Sequence, residues 1–179
     1  MKTIIVCDAI HPVGFELLKK EQDINIIDAV NTPKDELLKI LGEADVAITR
    51  SSTEVNEAFL EAGKKLKAIV RAGVGVDNVD IDGCSRRGII AMNVPTANTI
   101  AAVELTMAHM LAAARSLEYA HNDLKLDRIW KREKWYGVEL FKKKQGVIGS
   151  GNIGSRVARA KAFGMDIIAY DPYIDPSKV

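Results

Sequence analysis

The sequence predicts an α/β protein built on parallel sheets, and three observations predict it. Short β-rich runs alternate with amphipathic helical runs over the first 97 residues. Strands and helices in that alternation form a parallel sheet covered on both faces. A longer stretch, Asn98–His121, is apolar on more than one helical face, as a helix buried on several sides would be. Residues 146–154 then read Gly-Val-Ile-Gly-Ser-Gly-Asn-Ile-Gly, a strand turning sharply into a new helix.

In chain order, the strands are expected at Thr3–Asp8, Ile24–Asp28, Asp45–Thr49, Lys67–Ala72 and Ile89–Asn93. Helical periodicity marks Val13–Lys20, Pro33–Leu41 and Asn56–Lys64 between them. Thr32-Pro33 offers a capping hydroxyl and then a proline whose missing N–H costs nothing at a helix start. Gly42 and Gly63 stand where helices should stop. Residues 1–97 therefore read as a flavodoxin-like domain. Residues 98–144 read as an interdomain helix followed by an arm. In the arm, Trp130, Trp135 and Tyr136 interrupt an otherwise charged segment, Asn122–Lys144, and imply packing against something. Residues 145–179 read as the start of a Rossmann unit, with its second strand at Asp166–Tyr170, that stops after one strand-turn-helix-strand step. Two parallel strands and one helix cannot cover themselves, so this segment is expected to be mobile or ordered by a partner.

Bulk properties exclude several classes of function. A net charge of +1 gives no field toward nucleic acid or anionic membrane. No apolar run reaches the roughly 20 residues of a membrane span, and the N-terminus lacks the pattern of a signal peptide. Cys7 and Cys84 have no metal or redox spacing and read as inert buried thiols in a reducing compartment. The expected location is cytoplasmic.

The Gly-rich turn carries chemistry. Helix N-termini present free N–H groups to phosphate. Gly149 permits the tight turn, Gly151 lets the backbone approach a pyrophosphate, and Gly154 lets the helix pack close to the strand. Asp171 ends the next strand 20 residues after Gly151, where a carboxylate accepts the ribose hydroxyls of NAD. The alternative is a structural glycine turn with an unrelated aspartate.

Several stretches occur together in one order: Arg71-Ala-Gly-Val-Gly-Val-Asp-Asn-Val-Asp80, Arg87-Gly-Ile-Ile, Met92-Asn-Val-Pro-Thr-Ala-Asn-Thr99, Ala102-Val-Glu-Leu-Thr106 and the Gly-rich turn. In this the chain resembles the D-2-hydroxyacid dehydrogenases over essentially its whole length. Arg50-Ser-Ser-Thr-Glu-Val55 and Lys131-Arg-Glu-Lys-Trp135 are most similar to the phosphoglycerate branch of that family. Glyoxylate and hydroxypyruvate reductases are the nearest alternatives. The resemblance implies NAD-dependent oxidation of a D-2-hydroxy acid, with 3-phosphoglycerate going to 3-phosphohydroxypyruvate in serine biosynthesis.

Residue by residue, the resemblance implies that Val74 and Gly75 offer backbone N–H groups to the substrate carboxylate, with Val74 also near the cofactor. Arg50 and Ser51 would meet the substrate's anionic end, and Asn98 the interdomain cleft. Gly149, Gly151, Asn152, Ile153, Gly154 and Asp171 would hold the cofactor. Each has a plainer alternative: a tight turn for Val74–Gly75, a solvated arginine for Arg50 and a helix cap for Asn98. Glu104 reads as satisfying a buried partner and His109 as core or interface. His11 and His121 sit at helix ends. The family's catalytic arginine, glutamate and histidine fall beyond Val179, so no catalytic residue is assigned, and the 179 residues alone are expected to be inactive. On that reading the chain is a catalytically incomplete fragment that binds an anion or dimerises through residues 99–143.

The cofactor segment departs from the family pattern. One residue fewer lies between Gly154 and Gly164, which in an α-helix turns the face of Val157, Ala160 and Phe163 by about 100°. Gln145 and Ser150 stand where apolar residues are usual.

Overall fold

The computed structural model describes residues 1–175. The chain divides into two compact units, Met1–Thr96 and Ala97–Val179.

In the first unit five strands form one parallel sheet: β1 (Lys2–Val6), β2 (Ile24–Asp28), β3 (Val46–Thr49), β4 (Ala68–Arg71) and β5 (Ile90–Asn93). Their spatial order is β2-β1-β3-β4-β5, the flavodoxin-like order, with the direction of winding switching between β1 and β3. All pairs are parallel and in register, so Thr49, Arg71 and Asn93 form one row at the carboxyl ends. Side chains alternate along each strand. Ile5, Ala47 and Ile69 therefore share the face that builds the core with Leu37, Leu41, Phe59, Leu60 and Cys84.

The helices follow from local signals. Helix α1 (Pro12–Lys19) starts on His11, whose side chain accepts from the Val13 N–H at 3.3 Å. Helix α2 (Lys34–Leu41) differs from expectation: Pro33 occupies the cap position and no side chain caps the helix, Thr32 included. Asn56 caps α3 (Glu57–Ala62) by accepting from the Phe59 N–H. Helix α4 (Ile81–Arg86) carries no clear periodicity in its six residues. Its signal is Asp80, which accepts from the Gly83 N–H at 2.8 Å. Both cysteines are buried and free, and burial pushes the Cys7 thiol up to about 12, which makes it a poor nucleophile.

In the second unit the long helix is broken. Helix α5 (Thr99–Ala114) and α6 (Leu117–Lys125) meet at a 67° bend at Ser116, whose backbone is left-handed with φ +49. The returning arm causes the break. The Val138 N–H takes the Ala114 carbonyl at 2.8 Å, and only glycine fits at 137, because a Cβ there would strike that carbonyl and the Arg115 backbone. Within the single chain this helix is not buried on several sides. Only Thr99 of α5 is buried, and Glu104 and His109 are exposed rather than held in a core. Within the unit α5 packs on α6 and the short α7, which are too small to cover its other faces.

Trp135 stacks on Tyr119 of α6 with ring centroids 5.1 Å apart and donates to Asp123 at 2.7 Å. The arm thus packs on its own unit at this tryptophan, while Trp130 stays 73% exposed. Strands β6 (Lys144–Ile148) and β7 (Asp166–Tyr170) form a two-stranded parallel sheet. No single helix among the described residues is long and apolar enough to cross a membrane.

Phe59, 2% exposed, anchors the first core, whereas Leu17 on α1 is 58% exposed. Phe59→Ala is expected to destabilise by about 3–5 kcal/mol, and Leu17→Ala by less than about 0.5 kcal/mol. Denaturant melts of the two variants test this ordering.

Candidate functional site

Parallel pairing brings the loops after β3 and β4 to one edge of the first sheet. The loop after β3 is Arg50-Ser51-Ser52-Thr53, and two residues fasten it. Asp8, just past β1 and 8% exposed, accepts from the N–H of Arg50, from the N–H of Thr53 at 3.2 Å and from the Thr53 hydroxyl at 3.0 Å. From the other side, Asn78 donates its amide to the carbonyls of Arg50 and Thr53, both at 2.6 Å. A bridge between Val55 and Val79 then ties this loop to the one after β4. Its bonds run from the Val55 N–H to the Asn78 carbonyl and from the Asp80 N–H to the Val55 carbonyl, each 2.8 Å. Neither Asp8 nor Asn78 stands out in the sequence as a site residue. Only the 42- and 25-residue separations closed by folding reveal their role.

On this frame Arg50 is exposed, and its guanidinium donates to the Ala9 carbonyl at 3.0 Å. Ser51 is exposed beside it. In the neighbouring loop the Val74 carbonyl accepts from the Asn93 side chain at 2.8 Å, which fixes the turn. The N–H groups of Val74 and Gly75 have no hydrogen-bond partner among the described residues. A fixed pair of free N–H groups suits an anion, and so does the exposed guanidinium of Arg50 on the neighbouring loop. Asn98 lies in the second unit, at the cap position of α5. It is exposed, and although its carbonyl accepts from the Ala102 N–H at 3.0 Å, its side chain makes no capping bond.

A cavity of about 480 Å³ opens beside the first loop, outside the carboxyl ends of β1, β2 and β3. Ser51, Ser52 and Thr53 line one side of it, and Thr32, Lys34 and Asn56 contribute further polar groups.

In the second unit the Gly-rich turn joins β6 to α7 (Gly154–Val157). Gly149 has φ +86, a conformation that favours glycine. A Cβ at Gly154 would collide with the Gly149 carbonyl, whereas the space above Gly151 is open. The N–H groups of Gly151, Asn152, Ile153 and Gly154 have no partner among the described residues. Those open donors, and a glycine without a side chain in front of them, fit a phosphate group. Asp171 accepts from the N–H of Tyr173 at 2.9 Å and of Ser150 at 2.7 Å. The Tyr173 bond first, and the Ser150 bond next, hold its carboxyl below the usual carboxylate range.

After Val157 the chain continues as a 3-10 helix, Ala158–Phe163. The stretch is wound as a 3-10 helix, so the expected rotation of an α-helical face does not apply to it. Val157 is buried and Phe163 is 39% exposed. The side chain of Ala160 lies outside the described residues. Gln145 points a buried Oε1 at no partner. The free faces expected of a two-stranded sheet are present: Ile148 is 89% exposed and Ile168 57%.

A family model described as D-isomer specific 2-hydroxyacid dehydrogenase, catalytic domain, matches residues 4–166. The chain belongs to that family. The D-3-phosphoglycerate dehydrogenase of Methanocaldococcus jannaschii is 46% identical over 175 residues, which are 97% of this chain and 33% of that enzyme. The hydroxypyruvate reductase of Thermotoga maritima is 44% identical over 168 residues, 93% of this chain and 54% of that one. Among solved structures, the NAD+-bound 3-phosphoglycerate dehydrogenase of Entamoeba histolytica matches with a TM-score of 0.74 and 30% identity, over 97% of this chain and 55% of that one. The chain thus spans about a third to a half of the length of these relatives.

Two measurements test the clamps. Asp8→Ala is expected to cost about 1–3 kcal/mol and to strip hydrogen-exchange protection from the Arg50 and Thr53 amides. Unchanged protection there would remove Asp8 from the frame. For Asp171, whose folded pKa is lowered, the stabilisation is complete above about pH 4 and disappears as pH falls through the folded value. The amide resonances of Ser150 and Tyr173 should stay fixed above that pH and move together below it. A midpoint above pH 4 in both would contradict the assigned bonds.

Proposed function

We propose that the protein carries the substrate loops and the first cofactor turn of an NAD-dependent D-2-hydroxyacid dehydrogenase that oxidises 3-phosphoglycerate to 3-phosphohydroxypyruvate. The observation that carries this reading is that Arg50 and the free N–H groups of Val74 and Gly75 stand on loops fastened to each other. A hydroxy acid with a second anionic end needs two kinds of donor. Backbone N–H groups suit the carboxylate, and a guanidinium suits a phosphate, which it can bind with two parallel bonds. Ser51 adds a hydroxyl beside Arg50, and Asn98 is assigned to the same substrate.

The donors of the Gly-rich turn, Gly149 to Gly154 with Asn152 and Ile153 between them, would hold the pyrophosphate of NAD, and Asp171 its adenosine ribose. When bound, NAD supplies the acceptor for the hydride leaving the substrate. An acceptor-only carboxylate at Asp171 favours hydroxyl donors over a phosphate, which supports NAD over NADP. The exposed apolar residues of α5 and the exposed Trp130 support a homodimer through residues 99–143. Two free, buried thiols support a cytoplasmic location.

The named relatives include a hydroxypyruvate reductase, so the phosphate is what the test must read. Calorimetry with 3-phosphoglycerate and with D-glycerate, on the wild type and on Arg50→Met, separates the substrates. Arg50→Met should weaken 3-phosphoglycerate by about tenfold or more and leave D-glycerate within about twofold. Equal affinity of the wild type for the two acids would sink the phosphoglycerate assignment. Reduction of NAD by 3-phosphoglycerate, followed as NADH absorbance, tests the expected inactivity of the 179 residues: turnover would end the incomplete-fragment reading, and no turnover with 3-phosphoglycerate binding retained supports it.

A further inference from the structure

The described residues contain four buried side-chain polar atoms without a partner, and three belong to one neighbourhood: Thr49 Oγ1, Arg71 Nε and Asn78 Oδ1. Thr49 and Arg71 are register partners at the ends of β3 and β4. Asn78 is the residue that joins the two loops above them. Buried polar atoms in folded proteins are almost always satisfied, so a concentration of orphans calls for a cause.

Arg71 is the most unusual of the three. Its guanidinium carries five donors and no acceptor, and it stays charged. Among the described residues it makes no hydrogen bond and no ion pair, and Asp77 on the same loop is not paired with it. The charge is tucked against the turn that bears Val74 and Gly75: its Nη1 occupies the space a Cβ at Gly73 would take, and both Nη atoms lie 4.0 Å from the Cβ position of Gly75. This placement is possible only because residue 73 is glycine. The residue as a whole is only partly buried, so its outer end reaches solvent while Nε does not.

We propose that Arg71 is a second anion-binding residue of this site, resting beneath the Gly73–Gly75 turn without a ligand and turning outward to pair with the ligand's anionic group. The Nε–H is buried and unpaired, which is costly, while the Nη end is open to solvent beside Gly75, where the Asp77 carboxylate also stands without pairing with it; an anion at the Val74 and Gly75 N–H groups offers that end an acceptor. Gly73 supplies the room for the resting position. The proposal rests on the reading of this edge as a hydroxy-acid site, and it deepens that reading by assigning a second cation to it.

The test uses the whole 179-residue chain with two probes, 3-phosphoglycerate and inorganic phosphate. The Arg71 Nε–H resonance is followed by NMR, assigned by its loss in Arg71→Met, and affinities are measured by calorimetry. Binding should shift that resonance. Arg71→Met, which keeps an apolar stem, should weaken binding by about tenfold or more, and Arg71→Lys should recover part of the loss. Gly73→Ala, which fills the resting position, should bind as tightly as the wild type or more tightly. A passive strut under the turn gives a different pattern, in which Gly73→Ala and Arg71→Met both weaken binding, and that pattern overturns the proposal. So does a resonance that neither probe moves at millimolar concentration. Binding of 3-phosphoglycerate that Arg71→Met leaves intact overturns the role of Arg71 alone and spares the substrate assignment. A shift with phosphate, lost in Arg71→Met, together with no preference for 3-phosphoglycerate, supports Arg71 and sinks that assignment.

Discussion

Parallel pairing is the constraint on which the first unit depends. When every strand runs the same way, every carboxyl end arrives at one edge, and the loops that leave it must share that space. The register then decides which residues meet. It puts Thr49, Arg71 and Asn93 in one row under the loops, and it brings Asp8 from β1 within reach of Arg50 and Thr53. Asp8 and Asn78 turn proximity into fixed geometry, because each serves more than one loop atom. A binding site needs that fixity, since an anion held by mobile donors pays their ordering entropy when it binds.

The same constraint explains what the sequence could and could not disclose. Strand and helix identity in the first unit is carried by local periodicity, and the five strands stand within two residues of where that periodicity places them. Loop residues such as Arg50, Val74 and Gly75 sit in short motifs, which is why the sequence offers them as candidates. Asp8 was not, because a carboxylate just past a strand has no local mark of its three distant donors. Helix α4 escaped for the opposite reason: six residues are too few to show a period, and the signal is the single cap at Asp80. The break at Ser116 could not be read from the helix itself, because its cause is Val138 and Gly137 returning from the arm.

In the second unit, local chemistry and tertiary support part company. The glycines of the turn each have a local reason: φ +86 at Gly149, and the carbonyl that excludes a side chain at Gly154. Beyond them the helix tightens into 3-10 form, and the faces of β6 and β7 stay largely open. A turn of this kind works by holding N–H groups still, and that stillness comes from what packs behind it. Here one support is internal: Asp171 holds the Ser150 N–H from the end of the neighbouring strand. Its carboxylate fastens the turn and places a negative charge beside it. On the proposed reading, the free N–H groups from Gly151 to Gly154 would attract phosphate, while the Asp171 carboxylate would repel it and take hydroxyls. Two such opposite preferences along one short turn would orient a ligand that carries both groups, because reversing it would put phosphate on carboxylate.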